Sequence, residues 1–233
     1  MRRTHRGSWR PTRVGLARSR RGTMILALLV AGALPAGRAR AEDPATRDEV
    51  PRYRFSVSSP YLSFVNFDAE ETNVHMYELH VGFRLSPRDK VGVKAATWKL
   101  FAPMGIQVWD PLFRDESEYY PGRLRETGAG LTYQRMLWRG LFAQVEVMPL
   151  RKTYLDTDNM VVGHGFKLYT SYHVGYQLAV WKGRLFIEPQ VHCNYWPIDT
   201  GTPPAFQARD DRWSNYFLFE PNLYLGFNFG STH

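Results

Sequence analysis

From Trp213 to Phe229 the chain alternates with a period of two. Phe217, Phe219, Pro221, Leu223, Leu225, Phe227 and Phe229 are apolar, whereas Ser214, Glu220, Asn222, Gly226 and Asn228 are polar or small. Successive side chains of a strand point to opposite faces, so this segment has one greasy face and one wet face. The pattern runs for roughly 15 residues, well beyond the ~5 to 6 of an average strand. Seven further segments alternate in the same way, and the pattern predicts strands over 53–67, 74–85, 90–101, 123–136, 141–154, 164–180, 184–197 and 213–229. The connections differ in length. Ser86-Pro87-Arg88-Asp89, Leu137-Trp138-Arg139-Gly140 and Trp181-Lys182-Gly183 read as tight turns, 68–73 is intermediate, and 105–122, 155–163 and 198–212 are long and polar. Pro60 interrupts the first strand, where either phase can be defended around a bulge.

Alternation alone does not say which face is inside. A soluble, lipocalin-like barrel turns its apolar face inward, and a membrane barrel turns it outward. The polar faces here are rich in Gly, Gln, Asn and His rather than in the dense Lys and Glu of a water-facing surface, which suits a packed interior. The outward set is then Tyr77, Leu79, Val81, Phe83 and Leu85, with Val91, Val93, Leu141, Val145, Val147, Phe166, Leu168, Val174, Leu185, Ile187 and Val191. Glu78, His80, Arg84, Lys94, Glu126, Glu146, Lys167, His173, Glu188, His192 and Glu220 would form a polar network in the lumen. A buried carboxylate needs a partner or a proton. Five Glu against one Arg and two Lys therefore leave room for charged His or a protonated Glu.

Charge changes the picture only through its placement. The formal net charge is +8, but residues 1–41 hold ten of the 30 Lys and Arg and no acid, so residues 42–233 carry 20 − 22 = −2. A nucleic-acid footprint is not implied. Met24-Ile25-Leu26-Ala27-Leu28-Leu29-Val30-Ala31-Gly32-Ala33-Leu34-Pro35-Ala36-Gly37 is a short apolar stretch behind a basic one, followed by Ala39-Arg40-Ala41. That is the layout of a secretory signal peptide over 1–41, cleaved before Glu42. A polar N-terminal arm, 42–52, then precedes a single barrel domain over 53–233. Cys193 is the one cysteine, so neither a disulfide framework nor a Cys metal site is expected.

Long polar loops on one rim, tight turns on the other and eight alternating strands make residues 53–229 similar to the small outer-membrane β-barrel proteins of Gram-negative bacteria, the eight-stranded OmpA- and OmpX-like group. The closing Gly226-Phe227-Asn228-Phe229 resembles the terminal aromatic signal of that group, here followed by Gly230-Ser231-Thr232-His233. The resemblance implies an all-β, eight-stranded antiparallel up-and-down transmembrane barrel in the cell outer membrane. It also implies outer-membrane lipid, lipopolysaccharide and the barrel assembly machinery as partners, with no nucleic acid and no cofactor. The expected role is structural or surface-interaction, with a narrow channel for small solutes as a relative of that idea. Two alternatives stay open: a lipid-modifying hydrolase and a soluble periplasmic lipocalin-like binding barrel.

Candidate chemistry is sparse. Ser171 and His173 share a strand face and, with Glu188 or Glu146, supply the residue types of a nucleophile, base and orienting acid. They sit two residues apart, roughly 6–7 Å at the backbone, and no G-x-S-x-G accompanies them. His80, His173 and His192 are the imidazoles that strands could gather on a metal, though no metal is expected. Trp109, Phe113, Tyr119 and Tyr120, among acids in the longest loop, are candidates for surface interaction, and Arg123 and Arg125 are placed to neutralise lipid phosphates.

Overall fold

The computed structural model describes residues 53–64 and 75–231. The expected leader 1–41, the arm 42–52 and the intermediate link 68–73 lie outside the described residues. The strands are β1 (Tyr53–Pro60), β2 (His75–Arg84), β3 (Asp89–Leu100), β4 (Arg123–Trp138), β5 (Leu141–Leu155), β6 (Val161–Tyr176, resuming as Leu178–Val180 after Gln177), β7 (Leu185–Thr200) and β8 (Tyr216–Ser231). Each pairs antiparallel with its neighbours, and β1 closes the ring on β8 with Tyr53 opposite Ser231 and Pro60 opposite Tyr224. The fold is a closed eight-stranded antiparallel barrel.

The tight turns all lie on one rim. At the β4–β5 turn Arg139 and Gly140 both have positive φ, 42° and 96°, the twist that joins two antiparallel strands over two residues. The longer links lie on the other rim and carry two 3-10 turns, Pro111–Arg114 and Glu116–Glu118, and the helix α2 (Pro204–Asp210). We call these the turn rim and the loop rim.

The expected first strand, 53–67, is shorter than its pattern. Pro60 has no N–H to continue the ladder, and a helical turn, α1 (Tyr61–Phe64), follows it directly. The last strand starts at Tyr216 rather than 213 and contains a bulge. His192 faces Glu220, Asn194 faces Phe217, and Phe219 takes φ 54°. The extra residue inverts parity, so Phe217 points inward and is buried, against the outward placement that alternation predicts. A second shift on β7, between the pairs Leu168–Ile198 and Thr170–Tyr195, likewise puts Asp199 within reach of the interior lysines.

The outer wall is apolar and the interior largely polar. Leu79, Leu131, Val147 and Val174 are about half exposed or more, while Lys94, Glu126, Glu146, Lys167, Ser171 and His173 are buried. The apolar faces thus point away from the barrel axis.

Candidate functional site

Residue order along the strands sorts the interior into layers. Nearest the turn rim, Lys90 lies 3.8 Å from Glu188 and 5.6 Å from the centre of the Phe186 ring. Glu188 also accepts from Gln177 (2.7 Å) and Gln134 (3.3 Å). Phe186 lies flat over Gly226, where a Cβ would sit 2.0 Å from the ring, so the glycine is the shelf that admits the aromatic.

One layer up, Lys94 bridges Glu78 (2.8 Å) and Glu146 (3.1 Å). The Tyr224 hydroxyl donates to Glu78 at 2.6 Å, and the Trp98 indole N–H donates to the other oxygen of Glu78 at 3.0 Å. His173 Nε2 lies 3.7 Å from Glu146, and its ring packs on His192 with centroids 4.0 Å apart. His80 exchanges a hydrogen bond with Thr132 at 2.7 Å. Ser171 donates to Asn194 and Asn194 to Glu220, each at 2.6 Å. Neighbouring strands deliver these pairs directly: His173 faces His192, Ser171 faces Asn194, and Gln144 faces His173.

Above this lies an apolar plug of Ala96, Trp98, Met148, Leu150, Tyr169, Trp196 and Phe217, with Met104 and Phe113 of the long loop packed on it. The Trp98 and Tyr169 rings meet edge to face at 5.2 Å. A third charged layer follows. Lys167 pairs with Glu126 (2.5 Å) and Asp199 (3.6 Å), and Lys152 pairs with Asp199 and donates to Thr202 at 2.8 Å. A lid of Tyr120, Leu124, Tyr154 and Phe206 covers it. Tyr120 donates to Asp210 at 2.6 Å. Burial pushes the Asp210 carboxyl above its usual range, and burial with the adjacent Asp210 charge holds the Tyr120 hydroxyl protonated well beyond its ordinary pKa.

Of the eleven lumen residues expected from the pattern, ten share this interior, and Arg84 reaches the turn-rim carbonyl of Pro87 at 3.4 Å. Lys90 and Lys152 were not among them, although their even positions on β3 and β5 match Lys94 and Glu146 and mark them as inward. Ser171, His173 and Glu188 do not form a relay. Ser171 donates to Asn194, His173 Nδ1 meets Gln190 at 3.2 Å, and Glu188 belongs to the Lys90 layer. The closest pairing of those residue types is His173 with Glu146. Among the described residues no group of three His, Cys, Asp or Glu is arranged to hold a metal ion, and His80 hydrogen-bonds Thr132, apart from the tilted His173–His192 pair.

The four loop aromatics divide. Tyr120 is buried in the lid against Phe206, Phe113 packs on the plug, and Tyr119 meets Phe101 edge to face at 4.6 Å. Trp109 is 57% exposed, its ring 6.2 Å from Phe219. Most of this set therefore seals the barrel mouth, and Trp109 is the member that faces outward.

No protein-family model matches the chain, and no curated protein or solved structure matches it either.

Proposed function

We propose that this chain is an integral outer-membrane β-barrel protein, exported behind its N-terminal leader, with a closed lumen and a structural or surface-interaction role. The observation that carries the reading is the outward face of β4. Arg125 and Arg135 bracket Thr127, Ala129, Leu131 and Tyr133, and the two arginines are ten residues apart. At about 3.4 Å per residue and a tilt of about 40°, that stretch rises about 26 Å, against the ~25 Å apolar band of an outer-membrane barrel. Around the turn rim Trp138 and Trp181 are exposed, each beneath an arginine, Arg139 at 5.1 Å and Arg184 at 5.7 Å. Amphipathic rings of this kind sit where hydrocarbon meets water.

The interior favours a sealed barrel over a channel. Eight strands leave room only for side chains, and here the two lower ion-paired layers are separated from the upper one by the Trp98, Tyr169 and Trp196 plug, and the upper one is capped by the Tyr120, Tyr154 and Phe206 lid. A soluble ligand-binding barrel would need the reverse arrangement, with an apolar cavity and a polar wall. Electrophoresis of the refolded chain, boiled against unboiled, combined with planar-bilayer recording, tests the reading. We expect a heat-modifiable band, protease protection in vesicles and no steady conductance. A chain that stays soluble without detergent and shows no heat shift would overturn the membrane assignment; open-channel steps would overturn the closed lumen.

A further inference from the structure

On three successive strands the last inward position before the turn rim is a cation. Ser56 and Ser58 of β1 are buried on the inward face, and Arg54 shares their parity. Phe55 faces Phe83, so Arg54 of β1 and Arg84 of β2 occupy the next inward row, and Arg84 in turn faces Lys90 of β3. Like charges directly opposite in a ladder destabilise it. The row therefore gains nothing for the sheet by itself and favours an anion beside it.

The barrel supplies one such carboxylate inside the mouth, and Lys90 takes it. The Lys90 stem runs over Gly82, where a Cβ would lie 2.9 Å from its Cδ, and carries the ammonium group to Glu188 at 3.8 Å. On the outside of the same rim Asp89 is held by Arg135 at 2.9 Å and by the hydroxyls of Ser86 and Tyr133, each at 2.6 Å. Among the described residues Asp89 and Glu188 are the acids of this end. Arg84 is left with the Pro87 carbonyl at 3.4 Å, longer than a well-formed N–H···O bond, and Arg54 is exposed. The turns around the mouth add Arg88, Arg139, Lys182 and Arg184, all exposed.

The direction of the row selects the ligand. An anionic lipid headgroup would lie against the outer wall, on the side of Trp138 and Trp181, whereas Arg54 and Arg84 share the inward face and are approached along the barrel axis. An extended chain with a run of carboxylates can set one of them between the two arginines and others on the turns. Arginine suits that role because its planar fork meets a carboxylate through two parallel hydrogen bonds.

We infer that the turn-rim mouth is a docking site for an acidic polypeptide segment, with one carboxylate on Arg54 and Arg84 and its neighbours on Arg88 and Arg184. The site depends on the closed barrel and not on the membrane reading above. The test is fluorescence anisotropy of labelled hexaglutamate on the refolded chain, in phosphatidylcholine nanodiscs or, for a chain that stays soluble, in plain buffer. Wild type binds hexaglutamate at least about tenfold more tightly than hexaglutamine, and Arg54→Gln with Arg84→Gln abolishes that preference, since two charge-assisted contacts are lost. Arg139→Gln with Lys182→Gln removes the same charge from the turns alone and costs less than about fivefold, because exposed pairs are worth little. Circular dichroism reports the folding of each variant, and the comparison of the two peptides on wild type needs no variant at all. Equal binding of the two peptides by wild type overturns the site. So does an equal loss in both double variants, which means a diffuse field without a mouth, or displacement of the peptide by millimolar inorganic phosphate at constant ionic strength. Loss of the peptide when the nanodiscs contain phosphatidylglycerol also overturns it, since the arginines then serve lipid.

Discussion

Lys94 shows how a single residue holds the middle of the barrel. Its ammonium group serves two carboxylates and a phenol in a space with no bulk water, and all partners lie on other strands. Removing it strands Glu78 and Glu146, and breaking a buried pair from one side costs about 3–5 kcal/mol. Lys94→Met is therefore expected to lower the urea midpoint of the refolded barrel sharply, whereas Lys94→Met with Glu78→Gln and Glu146→Gln recovers most of the loss. At the loop rim the titrating residue is Asp210. Its carboxyl is raised in the folded state by burial, so the stability it contributes is complete below the ordinary Asp range, near pH 4, and declines as pH rises through the raised value. Protease nicking within 201–215 is expected to accelerate between acidic and neutral pH, and Asp210→Asn is expected to flatten that dependence while still accepting from Tyr120. The sequence made Lys94, Glu146 and His173 legible because strict alternation places every second residue inward. It hid Asp199 and Phe217, since each lies beyond a bulge that inverts the alternation: Pro197, which lacks a ladder N–H, marks the first bulge only in hindsight, and nothing in Leu218-Phe219 marks the second.

At the scale of elements, β1 is the exception. It has eight residues, whereas its partner β8 has sixteen, so on the β1 side the pairing of β8 with β1 stops at Tyr224. Beyond that point a side chain takes the place of a strand: Gln107 of the long loop donates to the Tyr216 carbonyl at 2.9 Å and accepts from the Leu218 N–H at 2.8 Å. Ser214 holds the same loop through the Gly105 carbonyl at 3.2 Å. Gln107→Ala removes both bonds, and with each net hydrogen bond worth about 0.5–1.5 kcal/mol the expected cost is about 1–3 kcal/mol. Hydrogen exchange localises the effect, with the Leu218 amide losing protection while β4 and β5 keep theirs. Strand number, the two rims and the facing of most residues followed from the pattern of apolar positions. A glutamine that completes a sheet edge from a distant loop did not, because its partners are backbone atoms, whose identity no sequence encodes.

At the largest scale the described residues form a filled barrel with a greasy waist and charged ends. On the proposed membrane reading, the waist sets the hydrocarbon thickness that suits it. Across phosphatidylcholines of increasing chain length, the unfolding midpoint is expected to peak where the hydrocarbon core is about 25 Å and to fall in thicker bilayers, since each ångström of mismatch costs a fraction of a kcal/mol. A flat response would argue against the band read from β4. The filling has its own logic. Three charged layers, two below the aromatic plug and one above it, give each buried lysine a carboxylate within its own layer, so no cation is left to be neutralised across the plug. The eight-stranded antiparallel barrel was legible from strand number and loop alternation alone; the filling of its interior needed the side chains, because the same alternation also suits a wider, hydrated interior.

The shortness of β1 also bears on how the cylinder yields to force. A ring of paired strands is a closed zipper, and a pull on the chain ahead of Tyr53 loads the two seams with the fewest rungs, those to β2 and β8. Under tension the ring parts there first, as one strand peeling away from an otherwise intact sheet, before the long β4, β5 and β6 hairpins feel the load.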